Sequence, residues 1–192
     1  MFYTILDDLI LYQVLSLDNI KYSNYELNLY KYFYDKTKIE PSHIVIIKVE
    51  DDDEFIFLFV KQNKYFEART HLNSLRHKII KKISIIRFDN VLLNLLFNLF
   101  PDLCIYDVGI EINNKEGKYE INICFLKDLN TYHIAVGRNG IYIKAVNELF
   151  NKHINFYKKD TSITIKCKTV DSNQDFLSNN LLNSVINQQS SS

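Results

Sequence analysis

The sequence predicts an α+β fold: a small N-terminal helical segment, then a short β-barrel-like region, then a larger unit mixing helices with strands. Three observations predict it. Apolar residues recur at helical spacing within the first 35 positions. β-branched and aromatic residues then gather in short runs separated by polar turns. Beyond residue 89 the runs follow the order helix, strand, strand, helix, glycine loop, helix, strand. The chain has 192 residues, 47% hydrophobic and 14% aromatic. That is one ordinary domain or two very small ones, with enough apolar material to build a core.

The elements follow in order. Ile5, Leu9, Val14 and Leu17, then Leu29 and Phe33, lie roughly on helical faces, so residues 1–35 read as helical and 1–40 as one N-terminal segment. Pro41 and Ser42 break that pattern. The run HIVIIKV at 43–49 reads as a strand, the acidic run Glu50–Glu54 as a turn, and Phe55–Val60 as a second strand. Tyr65–Arg69 and Ile79–Arg87 read as further strands. Several short strands within 41–88 suggest a small curled sheet or barrel. Asp89 and Asn90 precede an apolar helix over Val91–Phe100, which Pro101 ends. Strands are expected at Val108–Ile112 and Tyr119–Phe125, a short helix at Leu129–Ala135, a helix at Ile141–Phe150 and a strand at Ile154–Tyr157. The alternation of Ile163, Ile165 and Cys167 suggests another strand, so the third unit spans 89–168. Residues 169–192 form an Asn-, Gln- and Ser-rich tail expected to be mostly disordered. No internal repeat is visible in the residues.

The chain contains only four glycines, and two form Gly137-Arg138-Asn139-Gly140. Glycine permits positive φ and removes the Cβ that blocks close approach of another backbone. Gly140 would open a helix whose first N–H groups lack internal partners and favour a phosphate. Arg138 can pair with a phosphate oxygen, and Lys144 adds positive field one turn later. Ile134, Val136 and Ile141 flank the loop and would shape an apolar groove, with Phe156 at its floor. Such a loop beside such a groove is how KH modules hold about four nucleotides of single-stranded RNA. Asn139 completes the candidate RNA-binding set. The same four residues also suit a plain helix-to-helix turn.

The order of elements over 90–158 is that of the type II KH fold. The stretch IAVGRNGIYIKAVNELFNKHINFYKKD resembles the KH modules of the NusA transcription elongation and termination factor family. The matching positions are Ala135, Val136, Gly137, Arg138, Gly140, Ile143, Lys144, Ala145, Val146, Ile154, Asn155 and Phe156. Upstream, Leu96-Phe97, Pro101, Tyr106-Asp107 and Val108–Ile112 resemble the approach to the first KH module of that family. The resemblance covers residues 86–160. It implies that 41–88 is a shortened S1/OB-type barrel and that the chain contacts nascent RNA and RNA polymerase. The implied function is modulation of transcription elongation, termination or antitermination. The family also carries a long polymerase-binding helical domain and a second KH module downstream, and neither fits the remaining lengths. Asn139 stands where many KH loops carry a second basic residue.

The net charge is zero, but it is unevenly spread. Residues 1–60 carry 5 basic and 11 acidic side chains, 61–114 carry 8 and 5, and 115–168 carry 10 and 5. The glycine loop therefore sits in the most basic third, a plausible footprint for phosphates. Cys104, Cys124 and Cys167 are odd in number and widely spaced, which argues against a disulfide framework or zinc site and for a reducing compartment. Abundant Asn, Ile, Lys, Tyr and Phe indicate an AT-rich genome, so the expected location is a cytoplasm or a plastid stroma. The acidic run reads as a solvated turn, and the histidines lack metal-ligand spacing. No cofactor, catalytic constellation or membrane span is expected. On the β region, Tyr65, Phe66 and Arg69 could stack bases, or Phe66 could belong to the core. Two further readings stay open: a ribosome-associated KH protein, and a protein-interaction subunit whose KH fold has lost RNA binding.

Overall fold

The computed structural model describes residues 10–17, 21–49, 53–113, 118–127, 130–157 and 161–171. The acidic residues 50–52 and the polar tail beyond 171 lie outside the described residues. Elements are numbered in chain order: β1 Leu15–Leu17, α1 Asn24–Thr37, β2 His43–Lys48, β3 Glu54–Val60, α2 Tyr65–Arg69, α3 Leu72–Lys78 and β4 Lys82–Arg87. There follow α4 Leu92–Leu99, β5 Asp107–Asn113, β6 Lys118–Leu126, α5 Thr131–Val136, α6 Ile141–His153, β7 Ile154–Phe156 and β8 Ile163–Val170.

The chain is α+β, as expected, but the β region is not a barrel. Residues 41–88 form an open three-stranded sheet in the order β2-β3-β4. β2 and β3 are antiparallel, with Lys48 opposite Glu54, whereas β4 runs parallel to β3. A parallel partner needs a crossover, and α2 and α3 supply it. Tyr65–Arg69, expected as a strand, is thus a helix. Its Tyr65 and Ala68 are buried at helical spacing, so the face they share meets the sheet.

The same order then repeats. The path α1-β2-β3-α2-α3-β4 is followed by α4-β5-β6-α5-α6 and β8. In each unit the first two strands are antiparallel, and the last pairs parallel with the middle one. The repeat was invisible in the residues because the units share topology and not motifs. The turn between α2 and α3, Arg69-Thr70-His71, contains no glycine.

A second departure concerns the strand that closes the second unit. The strand expected at Ile154–Tyr157 forms as Ile154–Phe156, directly after α6, but it does not close that unit. It pairs instead with β1, Leu15 opposite Phe156 and Leu17 opposite Ile154. The third strand of the second sheet is β8, paired along its length with β6. The pairing with β1 also overrides the helical reading of residues 14–17. Leu15 donates to the Asn90 carbonyl at 2.7 Å and Leu92 to that of Gln13 at 3.1 Å, so this segment is held at the start of α4. Extended backbone there gains inter-strand partners that a helix could not reach.

The two units stack as layers. Leu29 and Phe33 of α1, Tyr65 and Ala68 of α2 and Leu75 of α3 pack on Ile44, Ile56, Leu58 and Ile83 of the first sheet. The opposite face of that sheet, with Phe55, Phe57 and Phe59, joins Leu95, Leu99, Val146 and Leu149 from α4 and α6. Those helices in turn cover Ile121, Ile123, Phe125 and Ile165 of the second sheet. This explains why every residue of β3 is buried while β8 largely alternates. A strand covered on both faces reads as a continuous apolar run, and a strand covered on one reads as alternation. The outer face of the second sheet is polar, with Lys166 beside Glu120 at 2.6 Å and Lys168 beside Glu111 at 3.0 Å. Among the described residues no helix is long and apolar enough to cross a membrane.

Candidate nucleic-acid interface

The glycine loop lies between α5 and α6, where the backbone turns through three left-handed positions. Gly137 has φ 74° and ψ 168°, Asn139 has φ 55°, and Gly140 has φ 74° and ψ 14°. The first of these conformations belongs to glycine almost alone. The loop closes on itself, Gly137 N–H donating to the His133 carbonyl at 3.0 Å and Gly140 N–H to the Gly137 carbonyl at 3.1 Å.

The two glycines have different reasons to be there. A Cβ on Gly137 would stand 2.9 Å from Cβ of Tyr142, closer than packed atoms come. A Cβ on Gly140 would meet only Cγ1 of Val136 at 3.9 Å, an ordinary contact. Gly137 is therefore fixed by the fold, whereas at Gly140 only the positive φ favours glycine.

Gly140 is the N-cap of α6 and offers no side-chain cap to its first amides. Arg138 and Asn139 are exposed, and Lys144 is exposed one turn into the helix. No hydrogen bond or ion pair holds Arg138 among the described residues. Ile134 is 66% exposed on α5 beside the loop, and Val136 and Ile141 are half-buried. The structure thus gathers Ile134, Val136, Gly137, Arg138, Asn139, Gly140, Ile141 and Lys144 at one end of α6. It does not bring Phe156 there. α6 has 13 residues and a length of about 20 Å at 1.5 Å rise per residue. Phe156 lies past its far end, stacked on Phe150 with ring centroids 6.4 Å apart.

The place assigned to Phe156 is taken by β8. This strand is the free edge of the sheet order β5-β6-β8 and runs beside α6. Asn147 joins the two. Its side-chain amide donates to the carbonyls of Ile143 and Ile165, each at 2.9 Å, and its oxygen accepts from Ile165 N–H at 2.8 Å. An asparagine one turn after Ile143 and next to the buried Val146 was the available signal for this role.

Tyr142 is the other residue that the sequence did not single out. Its hydroxyl donates to the Leu99 carbonyl, and its ring lies 5.8 Å from those of Phe55 and Phe100. Enclosure of the hydroxyl pushes its pKa well above the ordinary tyrosine value. Tyr142 thereby ties the first turn of α6 to α4 and to the first sheet. Arg87 reinforces that junction, donating to Asn98 Oδ1 at 2.7 and 2.9 Å while Asn98 donates back to its carbonyl at 3.0 Å.

Other expected features fall elsewhere. Tyr65 is buried, while Phe66 is 72% exposed on α2, edge-on to Tyr65. Arg69 is engaged by Asp102. Of the acidic run, Asp53 pairs with Lys82 at 2.5 Å and Glu54 with Lys81 at 3.8 Å.

Comparison with known proteins bears on the fold. No protein-family model and no curated protein matches the chain. Among solved structures, the chain is similar to the protein described as "Crystal structure of APE1850", with a TM-score of 0.51 and 18% sequence identity. The match covers 76% of this chain and 100% of that one. At this identity the likeness establishes a shared fold.

Proposed function

We propose that this protein binds single-stranded RNA, and that its second unit is a type II KH module gripping phosphates at Gly137–Gly140. The observation that carries the reading is the loop itself. Left-handed backbone at Gly137, Asn139 and Gly140 leads into a 13-residue helix whose N-terminal amides have no side-chain cap. An exposed arginine, with no hydrogen bond or ion pair among the described residues, stands within that loop. Backbone donors, helix dipole and guanidinium all favour an anion at one place. Ile134, Val136 and Ile141 supply apolar surface beside it, as KH recognition of unstacked bases requires.

The resemblance to the NusA family extends this proposal to transcription, with nascent RNA and RNA polymerase as partners, in a cytoplasm or plastid stroma. Gly140→Asp tests the RNA reading. Asp tolerates left-handed backbone, and its Cβ has room, so the variant should fold. Its carboxylate would stand where the phosphate binds. Filter binding at low salt should show RNA retained by the wild type and lost by Gly140→Asp. A folded variant with unchanged affinity contradicts the proposal. A wild type that binds no RNA favours a protein-interaction subunit instead.

A further inference from the structure

A cleft between the two units is lined in part by α5 and the first turn of α6, the two helices that flank the glycine loop. Ile134 and Tyr142 border this cleft from the second unit, and Arg76, Ile80, Lys81 and Lys82 border it from the first. Its volume is about 520 Å³, within the range of small-ligand sites. Phe100 and Tyr142 contribute aromatic surface to its wall.

Two features make this cleft more than a seam. Ile80 is 99% exposed, on the turn between α3 and β4, so it contributes nothing to the core. The end of α3, that turn and the start of β4 read Arg76-His77-Lys78-Ile79-Ile80-Lys81-Lys82, a concentration of cations around an exposed apolar side chain. Among the described residues, the charged side chains that line the cleft are Arg76, Lys81 and Lys82, with no carboxylate beside them in its lining. Glu54 and Asp53 engage Lys81 and Lys82 only at the strand ends, and both lysines keep substantial exposure. The first unit meanwhile has no glycine loop, and its Arg69 is engaged by Asp102. Any contribution of that unit to RNA must come from another element.

Resting on the RNA-binding reading above, we propose that this inter-unit cleft is a second RNA subsite, reached by the strand that leaves the Gly137–Gly140 grip. One unstacked base enters between Ile80 and Ile134. The phosphates on either side of it face Arg76, Lys81 and Lys82. Apolar walls exclude water from the base, and clustered cations attract the backbone. The first unit thus serves the second through its α3–β4 turn.

The test uses the full chain, fluorescence anisotropy, and two oligouridylates. One has about four nucleotides, the length one KH module holds, and the other about twice that. Ile80→Asp is the variant, its side chain being too exposed to disturb the fold. The longer RNA should bind wild type more tightly than the shorter. Ile80→Asp should weaken the longer by roughly tenfold, in the range of one base contact, and leave the shorter unchanged. Ile80→Tyr should retain or improve binding of the longer RNA. Equal affinity for both lengths in the wild type, or equal effects of Ile80→Asp on both, overturns the subsite. Gly140→Asp separates the two proposals. If it leaves binding intact, or the wild type binds neither RNA, the grip itself fails and the subsite with it. If it abolishes binding while Ile80→Asp does nothing, only the subsite fails.

Discussion

Gly137 and Gly140 look alike in the sequence and differ in their surroundings. Gly137→Ala would drive a Cβ to 2.9 Å from Tyr142 in a conformation that side chains avoid. It should lower stability by about 1–3 kcal/mol, measured by urea unfolding. Gly140→Asp should cost at most about 1–2 kcal/mol by the same measurement, so its expected loss of RNA binding is separable from unfolding. The thiols provide a further residue-scale check. Cys124 is buried, and burial pushes Cys167 from 9.0 up to about 12, while Cys104 is exposed. Alkylation of the native protein near neutral pH should modify Cys104 first, with Cys124 and Cys167 reacting only on unfolding. Protons held by Cys167 and Tyr142 in the fold are released more readily when the chain unfolds. Stability should therefore be unaffected by these groups below about pH 9 and fall as pH rises from there toward 12. A flat alkaline profile would contradict that enclosure.

At the scale of elements, what could be read from the sequence depended on whether local pattern decided the structure. The scarcity of glycine marked the loop between α5 and α6. Continuous apolar character marked β3, and alternation marked β8. The misreadings came where distant partners decided. Tyr65–Arg69 is rich in aromatics and short, so a helix and a strand are indistinguishable until the parallel crossover is known. Ile154–Phe156 follows α6 directly and has the right pattern for a closing strand, yet β1 claims it. Nothing local distinguishes it from β8, which lies several residues further on. Asn147 is the device that seats β8 against α6. Asn147→Ala should leave Ile165 N–H without its partner and destabilise the second unit by about 1–3 kcal/mol, with hydrogen exchange accelerated at Ile165. Asn98→Ala should act similarly at the junction, because Arg87 would lose the acceptor for two of its donors.

Across the whole molecule, the two units are fused through one core rather than joined by a linker. The helices of the second unit lie between both sheets, so the first unit forms a wall behind the glycine loop. The units differ in what they offer to a ligand. The second carries the loop with its exposed arginine, and the first carries a turn flanked by cations. The zero net charge of the chain conceals this polarity. If Arg138 and Lys144 each meet a phosphate as proposed, log K for a short RNA should fall with log salt at a slope of about −1.4. A zero slope would contradict electrostatic binding at the loop.

RNA binding at the glycine loop is tested most directly by an amide NMR titration of the full chain with a short single-stranded RNA. RNA gripped at the loop should shift amides at Gly137–Lys144 and along β8 and leave Ile154–Phe156 unmoved. Shifts confined to other surfaces, leaving the Arg138 to Ile141 amides unchanged, would contradict it.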